Sequence, residues 1–307
     1  MVLAAAALWA LAACAPRPKG VRLMLLGDIM LGRGVAQAYV GESWESALEA
    51  IGPLTAQAHL TAANLESPLT FHPRAAPVGY DLRAPPESVR ALSGSGVSLV
   101  SLANNHILDG GQSGLTQTLD VLREAGIGAI GPDGEVVVRQ ADGVKLAFLA
   151  FDDVSQPLDL NQAAGEVRRA RAQGGLVVVS IHWGHEYLSV PDDRQQALAR
   201  ALADAGASVI WGHHPHVVQP VEWVQGGALP YTTLVAYSLG NVLFDQAGPP
   251  ATRRGVALSL TLERDGAHAV WAFAFVMDPS RFELRSADRA ARLALQASLG
   301  PAVTVVR

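Results

Sequence analysis

Five times along this chain a short apolar run stops at residues that carry acids, amides or imidazoles. LMLLG ends at Asp28, HLTAA at Asn64 and Glu66, and VSLVSLA at Asn104, Asn105 and His106. LVVVSI ends at His182, and SVIWG at His213, His214 and His216. Runs of this kind, separated by amphipathic segments, mark strands buried on both faces, as in a parallel sheet covered by helices. Parallel strands present their carboxyl ends at one edge, where open α/β sheets bind ligands. The pattern therefore predicts an α/β fold that gathers all five clusters in one place. Adjacent asparagines and a histidine would otherwise only weaken a strand or helix.

Strands are expected over 21–27, 59–63, 97–103, 145–151, 176–181 and 208–211, and helices over 44–57, 113–125 and 193–205. Gly206 is placed to cap the last helix. Beyond residue 217, closely spaced runs at 217–224, 232–237, 256–262 and 269–276 predict antiparallel pairing, and the proline-rich stretch 66–86 predicts an ordered loop over the domain face. Half of the 307 residues are hydrophobic and 17% are charged, a balance that supports a large core and excludes disorder. A net charge of −5 supplies no global basic field, so nucleic acid is not an expected partner.

Residues 1–14, MVLAAAALWALAAC, are apolar but shorter than the roughly 20 residues that a membrane-spanning helix needs. They are read as an export signal, because Leu11-Ala12-Ala13-Cys14 resembles a lipoprotein lipobox. Cys14 is the only cysteine, which excludes an intramolecular disulfide. The expected organisation is a signal segment over 1–14, a linker over 15–20, one domain over 21–277 and a C-terminal helical extension over 278–307 packed on it. The expected location is the bacterial cell envelope, with the protein held at the membrane by a lipid anchor.

Oxygen and nitrogen donors without thiolates suit Mn²⁺, Fe or Zn²⁺. In this reading Asn105 offers an amide oxygen to a metal, and His106 faces the substrate. Asp109 either fixes the tautomer of His106 or forms the turn before Gly110. Arg33 either meets an anionic substrate or is a surface charge, and Glu186 and Tyr187 either line the cleft or shape a loop. His185 is placed at the rim, and His59, His72 and His268 are read as structural or solvent-facing.

The ordered motifs GDIMLGR (27–33), NLESPLT (64–70), SLANNHILDGG (101–111), HWGHEY (182–187), GHHPHVVQPVE (212–222) and YSLGN (237–241) resemble the bacterial capsule-synthesis CapA family. That family is associated with poly-γ-glutamate capsule production and lies in the calcineurin-like metallophosphoesterase superfamily. The resemblance covers about residues 21–277. It implies a four-layer α/β/β/α sandwich with one or two divalent metal ions at the strand ends. By position, Asp28, Glu66, Asn105, His182, His214 and His216 match metal ligands, and His106 matches the histidine that assists the leaving group. Ser238 and Asn241 enter through the resemblance alone, Asn241 on the substrate side.

Two departures stand out: Met30 occupies a position where the superfamily has a histidine ligand, and Glu66 stands in place of an aspartate. The ion count, and whether His213 or His214 ligates, are both left open by the residues. The resemblance implies a metal-dependent hydrolase of phosphoesterase type that acts on an anionic cell-surface polymer or its precursor alongside other capsule-synthesis proteins. The alternative is a non-catalytic component of a polymer-export complex.

Overall fold

The computed structural model describes residues 20–76, 79–131, 134–246 and 248–306. The signal segment ending at Cys14, and the linker up to residue 19, lie outside the described residues. Strands β1 (Val21–Ile29), β2 (Leu60–Leu65), β3 (Leu99–Ser101) and β4 (Gly128–Ile130) run parallel and form one half of a larger sheet. A second sheet is built from β5 (Val137–Ala141), β6 (Val144–Asp152), β7 (Leu176–His182), β8 (Ala207–His213), β9 (Val221–Val224) and β10 (Thr233–Ala236). Its order is β5-β6-β7-β8-β10-β9, with β6, β7, β8 and β10 parallel and the two edge strands antiparallel.

The first sheet is completed by β11 (Asn241–Leu243), β12 (Arg254–Glu263), β13 (Gly266–Met277), β14 (Leu284–Ser286) and β15 (Thr304–Val306). Here β12 pairs antiparallel with β1 over Val21 to Leu25, and β11 takes over beside it at Asp28 and Ile29. Four longer helices cover the sheets: α1 (Gly111–Glu124), α2 (Leu160–Ala172), α3 (Asp193–Ala205) and α4 (Arg289–Leu299).

Side chains on a strand alternate between faces, and here both faces are buried. Leu23 and Leu25 of β1 point between the sheets, where they share a core with Phe148, Val178, Trp211 and Leu258. Met24 and Leu26 point the other way, into a core shared with Leu115 and Leu122 of α1. On the far side of the second sheet, Ala147, Val177 and Val179 pack with Val167 of α2 and with Leu198 and Leu202 of α3. The layers are thus helix, sheet, sheet, helix, the four-layer α/β/β/α sandwich of the expectation. The Trp211 indole N–H donates to the Leu26 carbonyl at 2.9 Å, a bond from β8 to β1 that fixes how closely the two sheets approach beneath the site.

Several local expectations change. Helix 44–57 is a 3₁₀ stretch (Trp44–Ile51) followed by one turn of α-helix (Gly52–Thr55), because Leu48 leaves helical geometry at φ −122° and Gly52-Pro53 restarts the chain. The strand expected over 217–224 shortens to Val221–Val224, beginning just after Pro220, which cannot donate to a ladder. Strand β10 pairs antiparallel with β9 but parallel with β8, so the region after residue 217 is not purely antiparallel. Helix α2 and strands β4, β5, β11, β14 and β15 have no counterpart among the elements expected from the sequence. The cap at Gly206 is as expected, with φ +105°, and α3 opens with a capping box between Asp192 and Gln195. Residues 278–306 hold β14, α4 and β15, and β15 pairs with β13 at Trp271, Ala272 and Phe273. Among the described residues, no helix is long and apolar enough to cross a membrane.

Candidate metal centre

The five polar clusters arrive from two facing sheets rather than from one edge. Asp28 ends β1, Asn64 and Glu66 end β2, and Asn104 to His106 follow β3. From the other sheet, His182 ends β7, His213 ends β8, and His214 and His216 lie in the turn after it. Asp28, Glu66, His182, His213, His214 and His216 are all buried.

Asp28 is the hub. Its Oδ1 accepts from Asn64 Nδ2 at 2.8 Å and lies 3.3 Å from His213 Nδ1. Its Oδ2 accepts from the His214 amide at 3.3 Å and lies 3.2 Å from His216 Nδ1. Glu66 Oε1 stands 3.8 Å from both His182 Nε2 and His216 Nε2. His214 and His216 flank Pro215 with φ of +93° and +57°, conformations that cost a non-glycine residue about 1–3 kcal/mol each and that cluster at functional sites. The Pro215 carbonyl in turn accepts from the Tyr187 amide at 2.9 Å, which ties the two histidine loops together.

Three sets of side chains place one donor atom each within 4.8 Å of one another: Asp28, Glu66 and His216; Glu66, His182 and His214; and Glu186, His214 and His216. Both ring nitrogens of His182, Nδ1 of His214 and Oδ1 of Asn105 are buried without a hydrogen-bond partner. Orphaned buried polar atoms are rare, and the rings of His182 and His214 converge with Glu66. The residues fit a divalent ion of the oxygen- and nitrogen-seeking kind.

The electrostatics agree. Burial, then the neighbouring His214, pushes His182 well below its usual range, and burial with His216 pushes His214 down to about 4, so both rings are neutral with lone pairs to give. Burial works to raise Asp28, but the imidazoles of His213 and His216 beside it outweigh that effect and hold the carboxyl well below its usual range. Glu66 is pushed well above its range by burial and by the charges of Asp28, Glu186 and Asp109, although His216 opposes this. Burial works to lower His216, yet Glu66 and Asp28 carry it up to about 9. In the protein alone a proton on His216 thus offsets the buried carboxylate charge, and a metal held by that ring displaces it.

His213 and His214 stand differently, although both ring nitrogens of His213 are also buried without a hydrogen-bond partner. The His214 ring stands 4.8 Å from that of His182 and 5.8 Å from that of His216, and belongs to two of the three donor sets. His213 packs edge-on against Trp211 behind Asp28 and belongs to none. Met30 is buried in the outer core and its sulfur accepts from the Gly32 amide, away from the centre.

His106 lies beside the centre. Its Nδ1 is 3.1 Å from Asp109 Oδ2, which also accepts from the Leu82 amide at 2.8 Å. His106, Glu66 and His216 line a cleft of about 410 Å³ together with Arg33, Glu186 and Tyr187. Arg33, at φ +48°, is clamped on Asp245 at 2.6 and 3.1 Å, with its guanidinium carbon 5.4 Å from the Tyr80 ring centre. Asn241 does not line the cleft: it is buried behind His216, with Oδ1 3.0 Å from Nδ1 of that ring. The buried side chain of Ser238 accepts from the Gly240 amide. Sequence reasoning passed over Asp245, Tyr80 and the roles of Asn64 and Asn104; of these only the Asn-Asn pair in SLANNH carried a visible signal.

Residues 22–246 match the family described as bacterial capsule synthesis protein PGA_cap. The PGA biosynthesis protein CapA of Bacillus subtilis (strain 168) is 32% identical over 292 residues, covering 86% of this chain and 75% of that protein. The capsule biosynthesis protein CapA of Bacillus anthracis is 32% identical over 252 residues, covering 73% of this chain and 60% of that protein. A probable polyglutamine synthesis accessory protein of Mycobacterium tuberculosis is 28% identical over 304 residues, covering 76% of this chain and 77% of that protein. Among solved structures, a hypothetical protein from Thermus thermophilus aligns with a TM-score of 0.53 at 19% identity, over 83% of this chain and 99% of that chain, a likeness of fold alone.

Proposed function

The chain belongs to the bacterial capsule synthesis protein family PGA_cap, and from that membership and the buried donor set we propose that it serves capsule polymer synthesis as a metal-dependent hydrolase of phosphoesterase type. The substrate is an anionic cell-surface polymer of the poly-γ-glutamate kind or its precursor, and other capsule-synthesis proteins are its partners. The protein works at the cell envelope, tethered through Cys14.

The observation that carries the reading is His106 held by Asp109 at the wall of a cleft that the buried Glu66 and His216 also line. Asp28, Glu66, Asn105, His182, His214 and His216 are the residues that hold the metal, as one ion or two. Divalent ions bound by them supply Lewis acidity toward the substrate and make water a nucleophile near neutral pH. His216 keeps its Nδ1 on Asp28 and Asn241, which leaves Nε2 as the donor on the Glu66 side. Asp109 holds Nδ1 of His106, so the proton delivered to the leaving oxygen sits on Nε2. Arg33 and Tyr80 shape the anion-facing wall.

The test is elemental analysis of purified protein together with a panel of phosphomonoesters, phosphodiesters and γ-glutamyl peptides. At least one equivalent of metal and turnover on one class are expected. Metal-free protein that ignores added Mn²⁺ and Zn²⁺ refutes the reading. Bound metal without turnover on any class, combined with intact capsule function of His106→Ala in cells, shifts the assignment to a binding accessory, a reading that Met30 in place of a histidine also favours.

A further inference from the structure

We propose that Asn64 and Asn104 form a positioning ladder that couples the His106 loop to the carboxylates of the metal centre; the inference rests on the metal reading above. Both side chains are buried, and neither lines the cleft that holds His106, Glu66 and His216. The His106 amide donates to Asn104 Oδ1 at 3.2 Å. Asn104 Nδ2 donates to Asn64 Oδ1 at 3.2 Å and to the Leu65 carbonyl at 2.9 Å. Asn64 Nδ2 then donates to Asp28 Oδ1 at 2.8 Å, with Glu66 Oε2 at 3.4 Å. The chain of amides crosses from the loop after β3 through the end of β2 to the end of β1.

The ladder has one direction. A carboxylate accepts only, so Asn64 must turn its NH₂ toward Asp28 and Glu66, which leaves its oxygen for Asn104. Asn104 must then present its own NH₂ to Asn64 and its oxygen to the His106 amide. Hydrogen bonds to ionised carboxylates are the strong member of such a chain, so Asp28 orients the rest. A purely structural asparagine would satisfy backbone groups, but every hydrogen bond of Asn64 described above goes to Asp28, Glu66 or Asn104. With His213, Asn64 occupies Asp28 Oδ1, while Oδ2 faces His214 and His216.

Co²⁺ is the probe, because its absorption bands report ligand geometry while a titration reports affinity. Asn64→Ala is expected to weaken Co²⁺ binding about 10- to 100-fold, the usual effect of losing an outer partner of a ligand. Asn104→Ala should weaken it less and shift the bands, and the double variant should lose little beyond Asn64→Ala, because the two amides act as a unit. The ring NMR resonances of His106 should move in Asn64→Ala, although the two side chains share no bond. Circular dichroism checks the fold, and Asn104→Ser is read in place of Asn104→Ala if the latter does not fold. Wild-type affinity and spectrum in both single variants, additive losses, or unmoved His106 resonances overturn the ladder while leaving the metal reading intact. Absence of Co²⁺ binding by the wild type overturns both.

Discussion

A single methyl group at Gly27 should dismantle the centre without touching a ligand. Gly27 precedes Asp28 where β1 passes from β12 to β11, and a Cβ built there falls 1.8 Å from the Gly240 carbonyl oxygen. Real Cβ atoms do not come closer than 3.0 Å, so Gly27→Ala must open this contact by at least the 1.2 Å between those two values. Gly240 cannot retreat, because it sits at φ +69° with Arg254 and Val218 packed against it. The same carbonyl accepts the Asp28 amide at 3.0 Å, and Asn241 after it holds His216. The displacement therefore falls between Asp28 and His216, now 3.2 Å apart. Site geometry tolerates about 0.5 Å, and an error of about 1 Å can cost on the order of 100-fold. Overpacking adds roughly 1–3 kcal/mol of lost stability. Elemental analysis and Mn²⁺ calorimetry on folded Gly27→Ala should show affinity reduced on the order of 100-fold. Gly165→Ala is the control: Gly165 lies inside α2, where the side chains nearest an added Cβ are the ends of Arg169 and Arg168 at 3.7 and 3.9 Å, so stability should rise by about 0.5–1 kcal/mol with metal unchanged. Wild-type Mn²⁺ affinity in folded Gly27→Ala would refute the argument.

Two further outcomes follow from the site and one from the N-terminal segment. Asn105→Ala should weaken metal binding, whereas His106→Ala should keep the metal and lose about 10²- to 10⁴-fold in turnover, less for substrates with good leaving groups; intact hydrolysis in His106→Ala removes its catalytic role. In chelator-treated protein, His216 rises from 6.5 to about 9 on folding, so the stability it adds is present below pH 6.5 and is lost as pH climbs toward 9. Glu66→Gln removes the charge that most raises His216, so its melting temperature, followed by calorimetry, should fall less between pH 6.5 and 9; an equal fall contradicts the assignment. Cys14→Ser should release the protein from bacterial membranes or block its processing, and identical soluble behaviour of both forms ends the anchor proposal.

Much of this protein is legible in one dimension because burial on both faces of a strand leaves a local record. The runs before Asp28, Asn64, His182 and His213 are largely apolar, and the polar residues that interrupt them mark the strand ends. The α3 caps at Asp192 and Gly206 are equally local, since each bonds within a few residues of itself. What the pattern does not encode is pairing between distant segments. Nothing near Asp28 announces that β11 will lie beside it and bring Asn241 to His216, or that Arg33 will be held by Asp245 across 212 positions. His214 reaches Glu66 and His182 from a backbone at positive φ, a conformation histidine rarely adopts and no local pattern announces. Likewise the sequence shows two adjacent asparagines, but only the approach of β1, β2 and the loop after β3 sends Asn104 inward to Asn64 and leaves the oxygen of Asn105 without a hydrogen-bond partner. Hydrophobic periodicity is a property of each strand alone, whereas ligand geometry is a property of how strand ends from two sheets meet.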